Sequence, residues 1–133
     1  VLFTGDTLFS LGCGRIFEGT YKQMFDSLQK IKKLSKDTKI YCGHEYTKNN
    51  YEFCIEHDKK NIDLKKKLEW IDLKIKQNLP TIPVILENEL KENIFLRCDN
   101  SSIKETLKLN NMCEEEIFKK LRDLKDGFKT HRS

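Results

Sequence analysis

An aspartate and a histidine each stand just past a short apolar, β-favouring run, and in α/β folds ligands collect at such strand ends. Asp6 follows Val1-Leu2-Phe3-Thr4-Gly5, and a stretch marked by Gly12, Gly14 and Gly19 comes after it. His44 follows Lys39-Ile40-Tyr41-Cys42-Gly43 and leads into Glu45 and Tyr46. Imidazole is the commonest metal-binding side chain, and Gly43 would let the backbone approach a bound ion closely. Read singly, Asp6 also suits an Asx turn with Thr7 or Leu8, and His44 an ordinary hydrogen-bonded residue. Carried by two strands of one α/β unit, they point to a shared site. A second chemistry lies near the other end of the chain. Arg122 and Lys125 are three apart on an expected helix and therefore share a face. A guanidinium can clamp a carboxylate with parallel hydrogen bonds, and a neighbouring ammonium adds positive potential. The bland role for the pair is favourable interaction with the helix dipole.

The elements that must position these groups follow from periodicity. Val1 to Thr4 and Lys39 to Cys42 read as buried strands ended by glycine. Between them Tyr21, Met24, Phe25, Leu28, Ile31 and Leu34 recur at helical spacing, with Thr20 and Gln23 as a candidate capping box. Strand, helix, strand is an α/β unit that requires further strands. After Tyr46 the pattern becomes helical and rich in Lys and Glu. Helices are expected over 47–57, along the stripe Ile62, Leu68, Ile71 and Ile75, over 86–91, over 102–109 with Ser102 and Glu105 as capping box, and over 114–125. Thr81-Ile82-Pro83 reads as an extended connector. A boundary is placed near Tyr46 or Thr47, dividing 1–46 from 47–133.

Composition bounds the possibilities. The 133 residues are 38% hydrophobic and 35% charged, with 25 basic against 21 acidic residues and a net charge of +4. So small an imbalance gives no argument for nucleic acid, and Lys65-Lys66-Lys67 reads as a solvated face. No stretch approaches the roughly 18 apolar residues of a membrane span. The five cysteines are scattered without a Cys-x-x-Cys pair, which favours a reducing compartment over a disulfide framework; the expectation is cytoplasmic, with an organellar form left open. The first residue is Val1, so the chain is expected to begin within a domain. His57 and His131 read as surface residues, and Trp70 as core.

Three segments in order, Gly5-Asp6-Thr7-Leu8-Phe9, Gly12-Cys13-Gly14-Arg15-Ile16-Phe17-Glu18-Gly19 and Tyr41-Cys42-Gly43-His44-Glu45-Tyr46-Thr47, resemble those of glyoxalase II. Arg122-Asp123-Leu124-Lys125-Asp126-Gly127-Phe128-Lys129 resembles that family's basic terminal helix. The resemblance implies an α+β chain: the C-terminal remnant of a metallo-β-lactamase αββα sandwich (1–46) followed by an all-α substrate-binding domain (47–133). It implies two divalent metal ions, zinc before iron or manganese, with a bridging hydroxide that attacks the thioester of an S-(2-hydroxyacyl)glutathione. Asp6 matches the aspartate that bridges both metals and His44 the last histidine ligand. A carboxylate can span ions about 3.5–4 Å apart, and such ions lower the pKa of bound water toward about 7. The resemblance also places Arg15, Ile16, Phe17, His44, Glu45 and Tyr46 beside glutathione, and Arg122 and Lys125 on its glycine carboxylate. Arg15 and Phe17 stand where lysine and tyrosine are frequent in the family.

The family's Thr-His-x-His-x-Asp-His motif is absent from these residues, so the piece alone is expected to be inactive. Two other readings stay open: a persulfide dioxygenase-like relative with one iron, and a non-catalytic glutathione-binding or interaction module. A sheet cut through its middle also exposes a strand edge, through which a truncated chain could dimerise.

Overall fold

A computed structural model of the chain describes residues 1–5, 7–14, 21–44 and 46–128. Asp6, Arg15, Ile16, Phe17, Glu45, the Thr20 cap and His131 lie outside the described residues. Strand β1 (Leu2–Gly5) runs parallel to β4 (Lys39–Cys42), with Leu2 opposite Ile40 and Gly5 opposite Cys42. Parallel neighbours need a long crossover, and helix α1 (Tyr21–Lys32) supplies it. The expected strand, helix, strand unit is therefore present. Between β1 and α1 lies a hairpin of two-residue strands, β2 (Leu8–Phe9) and β3 (Gly12–Cys13).

Helix α2 (Thr47–His57) begins at the expected boundary, and α3 (Ile62–Lys76) follows. Asn61 caps α3 by accepting from Leu64 N at 3.1 Å. The buried stripe of α3 starts at Leu64 and continues through Ile71, whereas Ile62 is 66% exposed; the expected stripe began two residues early. The 81–83 connector leads into β5 (Val84–Ile85), which pairs antiparallel with β4. Residues from beyond the boundary thus complete the sheet order β1-β4-β5.

Three further helices close the chain: α4 (Leu86–Glu92), α5 (Ser101–Thr106) and α6 (Glu114–Asp126). A single 3₁₀ turn, Ile94–Leu96, follows α4, and all three of its residues are buried. The cap of α5 is Asn100, whose side chain accepts from Ile103 N at 3.2 Å. Ser102 lies inside that helix, so the expected capping box does not form: the preceding asparagine already meets the orphan N–H. Helix α6 carries Glu114, Glu115 and Glu116 in its first turn and Lys125 in its last, matching its dipole.

The core is aromatic. Phe53 of α2 stacks on Phe95 at 5.8 Å, Phe95 meets Phe118 of α6 edge-on at 6.1 Å, and Phe25 of α1 reaches Phe118 at 5.7 Å. A fully buried ring such as Phe53 or Phe118 contributes about 1.5–3 kcal/mol, the half-buried Phe25 less, and offset or edge geometry adds to that. Lys32 of α1 pairs with Glu114 of α6 at 3.0 Å, holding α6 beside the crossover helix. His57 is half-buried and stacked on Phe53 at 4.6 Å, and burial lowers its pKa; its apolar neighbour overrides the charged sequence around it. Lys67 is also drawn in, with a side chain 11% exposed, 3.6 Å from Glu92 and 4.2 Å from the Trp70 ring centroid. Lys65 and Lys66 keep the solvated role. Among the described residues no helix is long and apolar enough to cross a membrane.

Candidate functional site

The ends of the two parallel strands meet. Gly5 pairs with Cys42, and Gly43 N donates to Gly5 O at 2.7 Å. His44 follows Gly43 and so leaves from this junction, while Asp6, the other expected donor, lies outside the described residues. The His44 ring is exposed and stacks on Tyr46, with centroids 4.9 Å apart and an interplanar angle of 12°. Phe9 of β2 closes the group edge-on, 5.2 Å from Tyr46 and 6.0 Å from His44. Two of the expected substrate and metal residues are thereby brought together on a buried apolar support.

The hairpin beneath Phe9 is held by side chains. Its turn residue Leu11 has φ of 62° and is fully buried. A left-handed conformation costs a non-glycine residue roughly 1 kcal/mol, so its surroundings must impose it. Glu89 Oε1 of α4 accepts from Leu11 N at 2.8 Å, and Cys54 Sγ of α2 donates to Leu11 O at 3.1 Å. Asn50 Nδ2 donates to Ser10 O at 3.1 Å, and Asn93 Nδ2 to Phe9 O at 3.2 Å and Gly12 O at 3.0 Å. A Cβ on Gly12 would lie 2.6 Å from Asn50 Nδ2, so this close approach requires glycine. Burial raises the Glu89 carboxyl to about 7, against the pull of the Leu11 and Asn93 hydrogen bonds.

Arg122 closes the hairpin from the other side. Its side chain is 4% exposed, and Nη1 donates to Cys13 O at 2.8 Å and Gly14 O at 3.3 Å. Nε and Nη2 both donate to Asp126 Oδ1, at 3.2 and 2.8 Å. The guanidinium also lies over the Phe95 ring at 5.5 Å. Lys125 is half-buried, 6.0 Å from the Phe128 ring centroid. Helix α6 is fixed against α1 by the hydrogen bond from the Tyr21 hydroxyl to Asp123. Cys13, buried beside Arg122, has its thiol pushed up to about 11 by desolvation, which makes it a packing residue and not a nucleophile.

By their chemistry a carboxylate and an imidazole suit one flank of a metal centre, since zinc, iron and manganese all accept both. Among the described residues no group of three or more His, Cys, Asp or Glu comes together to hold an ion. With Asp6 outside the described residues, His44 is the expected donor that this arrangement presents, and its imidazole fits a metal ligand.

Comparison with known proteins settles the family. The family described as "Hydroxyacylglutathione hydrolase C-terminus" matches residues 45–128. The chain belongs to the hydroxyacylglutathione hydrolase family. It is 58% identical to a hydroxyacylglutathione hydrolase of Pelagibacter ubique over 96% of this chain and 47% of that protein. With the enzyme of that name from Bartonella henselae it shares 48% over 96% of this chain and 51% of the relative. A Prochlorococcus marinus relative is 57% identical over 75% of this chain and 41% of that protein. The chain thus spans about half the length of the hydroxyacylglutathione hydrolases that it matches. The sequence carries no signal for Glu89, Asn93 and Asn50, because polar residues on a helix or at its end read as solvated and their partners lie 40 to 84 residues away.

Proposed function

We propose that this chain is the C-terminal region of a thioesterase that hydrolyses S-(2-hydroxyacyl)glutathione, such as S-D-lactoylglutathione, to a hydroxy acid and glutathione. The observation that carries the reading is the His44, Tyr46 and Phe9 cluster at the junction of β1 and β4, in a chain 58% identical to a hydroxyacylglutathione hydrolase. Residues 1–46 are assigned to a metallo-β-lactamase-type domain and 47–133 to a helical substrate domain.

Asp6 and His44 would hold metal, zinc before iron or manganese, together with ligands from outside these 133 residues. Two such ions, when bound, supply activated water and polarise the thioester carbonyl. The chain's own residues bind and orient. Tyr46 offers its hydroxyl to the peptide of glutathione from a ring held against His44 and Phe9. Arg15, Ile16, Phe17 and Glu45 complete that subsite. Arg122 and Lys125 take the glycine carboxylate. Asp126 already lies on the guanidinium edge that a carboxylate would use, and its side chain is 39% exposed, so substrate can replace it. The leaving thiol has an ordinary pKa of about 8.5, so its departure needs little help from a general acid.

The isolated chain, with an incomplete donor set, is expected to be inactive. The free state of all five cysteines fits a reducing, cytoplasmic compartment. The metal-loaded intact enzyme, incubated with S-D-lactoylglutathione, should release one free thiol for each thioester consumed. Oxygen uptake with sulfite release from a glutathione persulfide, and no thioester loss, would replace this reading with the dioxygenase one.

A further inference from the structure

The hairpin between β1 and α1 is short, turns through a left-handed leucine and is seated among helices that belong to the other part of the chain. Glu89 Oε1 receives Leu11 N at 2.8 Å and Asn93 Nδ2 at 3.1 Å, while the same Asn93 amide donates to Phe9 O and Gly12 O. Both side chains are fully buried. Asn93 is itself held, because its Oδ1 accepts from Phe95 N at 3.0 Å at the start of the 3₁₀ turn. One face of Phe9's peptide is thus anchored in the helical part, and its ring supports Tyr46 and His44.

We propose that Glu89 and Asn93 are positioning residues: by clasping the Leu8–Cys13 hairpin they set Phe9, and through it the stacked His44 and Tyr46 rings. The proposal rests on the thioesterase reading for its catalytic consequence, but the geometry stands without it. Three features favour a clasp over generic packing. The bonds go to backbone groups at the tip of the hairpin and not to its side chains. They impose a φ that leucine does not choose. They run from the helical part of the chain to the hairpin that carries Phe9, the ring against which His44 and Tyr46 sit. Leu11 N would otherwise be an unpaired buried donor, which is costly.

The test uses the intact, metal-loaded enzyme with Glu89→Ala, Asn93→Ala and Glu89→Gln. Gln keeps an acceptor oxygen for Leu11 N and Asn93. Three quantities are read: amide exchange at Leu11, the ring resonances of His44 and Tyr46, and kcat and KM for S-D-lactoylglutathione. In Glu89→Ala, which removes the acceptor of Leu11 N, Leu11 exchange should rise at least about tenfold, the factor carried by one buried hydrogen bond, and both alanine variants should show the effects that follow. The ring resonances should move, and KM should rise about tenfold with a smaller change in kcat. Glu89→Gln should restore all three. Folded alanine variants whose His44 and Tyr46 resonances stay at their wild-type positions would overturn the proposal, as would a loss that Gln fails to restore. If wild type does not cleave the thioester, the functional reading falls, and the exchange and ring resonances still decide the clasp.

Discussion

Arg122, near the C-terminal end of α6, donates through Nη1 to the carbonyl of Cys13 at 2.8 Å, bridging 109 residues of sequence. The same nitrogen reaches Gly14 O, and the rest of the guanidinium holds Asp126. A residue expected from sequence as a substrate clamp is therefore also a strut between the terminal helix and the hairpin.

Arg122→Ala should lower stability by about 3 kcal/mol, because it strands two buried carbonyls and removes charge-assisted bonds. Arg122→Lys should recover only part of this, since an ammonium cannot reproduce the fork. Urea denaturation with an unchanged m-value checks both. A loss under about 1 kcal/mol for Arg122→Ala would mean the strut carries little.

Asp126→Asn separates binding from scaffolding. Asn keeps an acceptor oxygen but drops the charge, so the guanidinium edge is held less tightly and KM for the glutathione thioester should fall severalfold, while stability changes by less than about 1 kcal/mol, as for other partly exposed pairs. A raised KM would place the substrate carboxylate elsewhere.

The Glu89 carboxyl is raised to about 7 from an ordinary value near 4.5, chiefly by burial. The folded state therefore holds this proton more tightly than the unfolded one, so stability from the group is complete below about pH 4.5 and is lost as pH rises through 7. Glu92, also raised by burial, acts in the same direction, and His57, lowered by burial, acts in the opposite one. Both are common to wild type and Glu89→Gln. The difference in stability between these two proteins should shift by about 2–3 kcal/mol in favour of the variant between pH 5 and 8. A pH-independent difference would contradict the buried carboxyl.

Gly12→Ala should cost about 1–3 kcal/mol through overlap with the Asn50 side chain, whose three terminal atoms lie 2.6 to 3.0 Å from the added Cβ. Adding Asn50→Ala should relieve the overlap, giving a coupling energy of about 1 kcal/mol or more in a double-mutant cycle. Additive losses would show that the hairpin yields without strain.

The β1 edge offers a further check. Val1 and Phe3 are 78% and 77% exposed, and β1 pairs only with β4 among the described residues. The isolated chain is expected to self-associate along this strand, which sedimentation would show. A monomer with a cooperative melt would count against it.

Much of this fold is legible in the sequence, for a physical reason. β1 and β4 show as short apolar runs ended by glycine, α1 by its helical period, and α6 by its acidic first turn and Gly127; the expected burial of β1 does not hold, since Phe3 is 77% exposed with β4 as the strand's described partner. The hairpin and β5 are not legible, because strands of two residues carry no period. Ser102 looked like a cap by spacing, yet Asn100 stands one residue before the helix and takes the bond. His57 and Lys67 looked solvated by their neighbours in sequence, whereas Phe53, Glu92 and Trp70 draw them inward. At the site, His44 and Tyr46 were found by motif and meet in space. Glu89 and Asn93 were invisible because their partners lie about eighty residues away.

The metal role proposed for His44 is tested most directly by His44→Ala in the intact enzyme, with bound metal and thioester turnover measured on the same sample. The variant should lose metal and fall in kcat/KM by more than about a hundredfold, at least as much as for disturbed metal-site partners, while Tyr46→Phe keeps its metal. Full metal content and wild-type turnover in His44→Ala would show that the strand-end junction is no part of a hydrolytic centre.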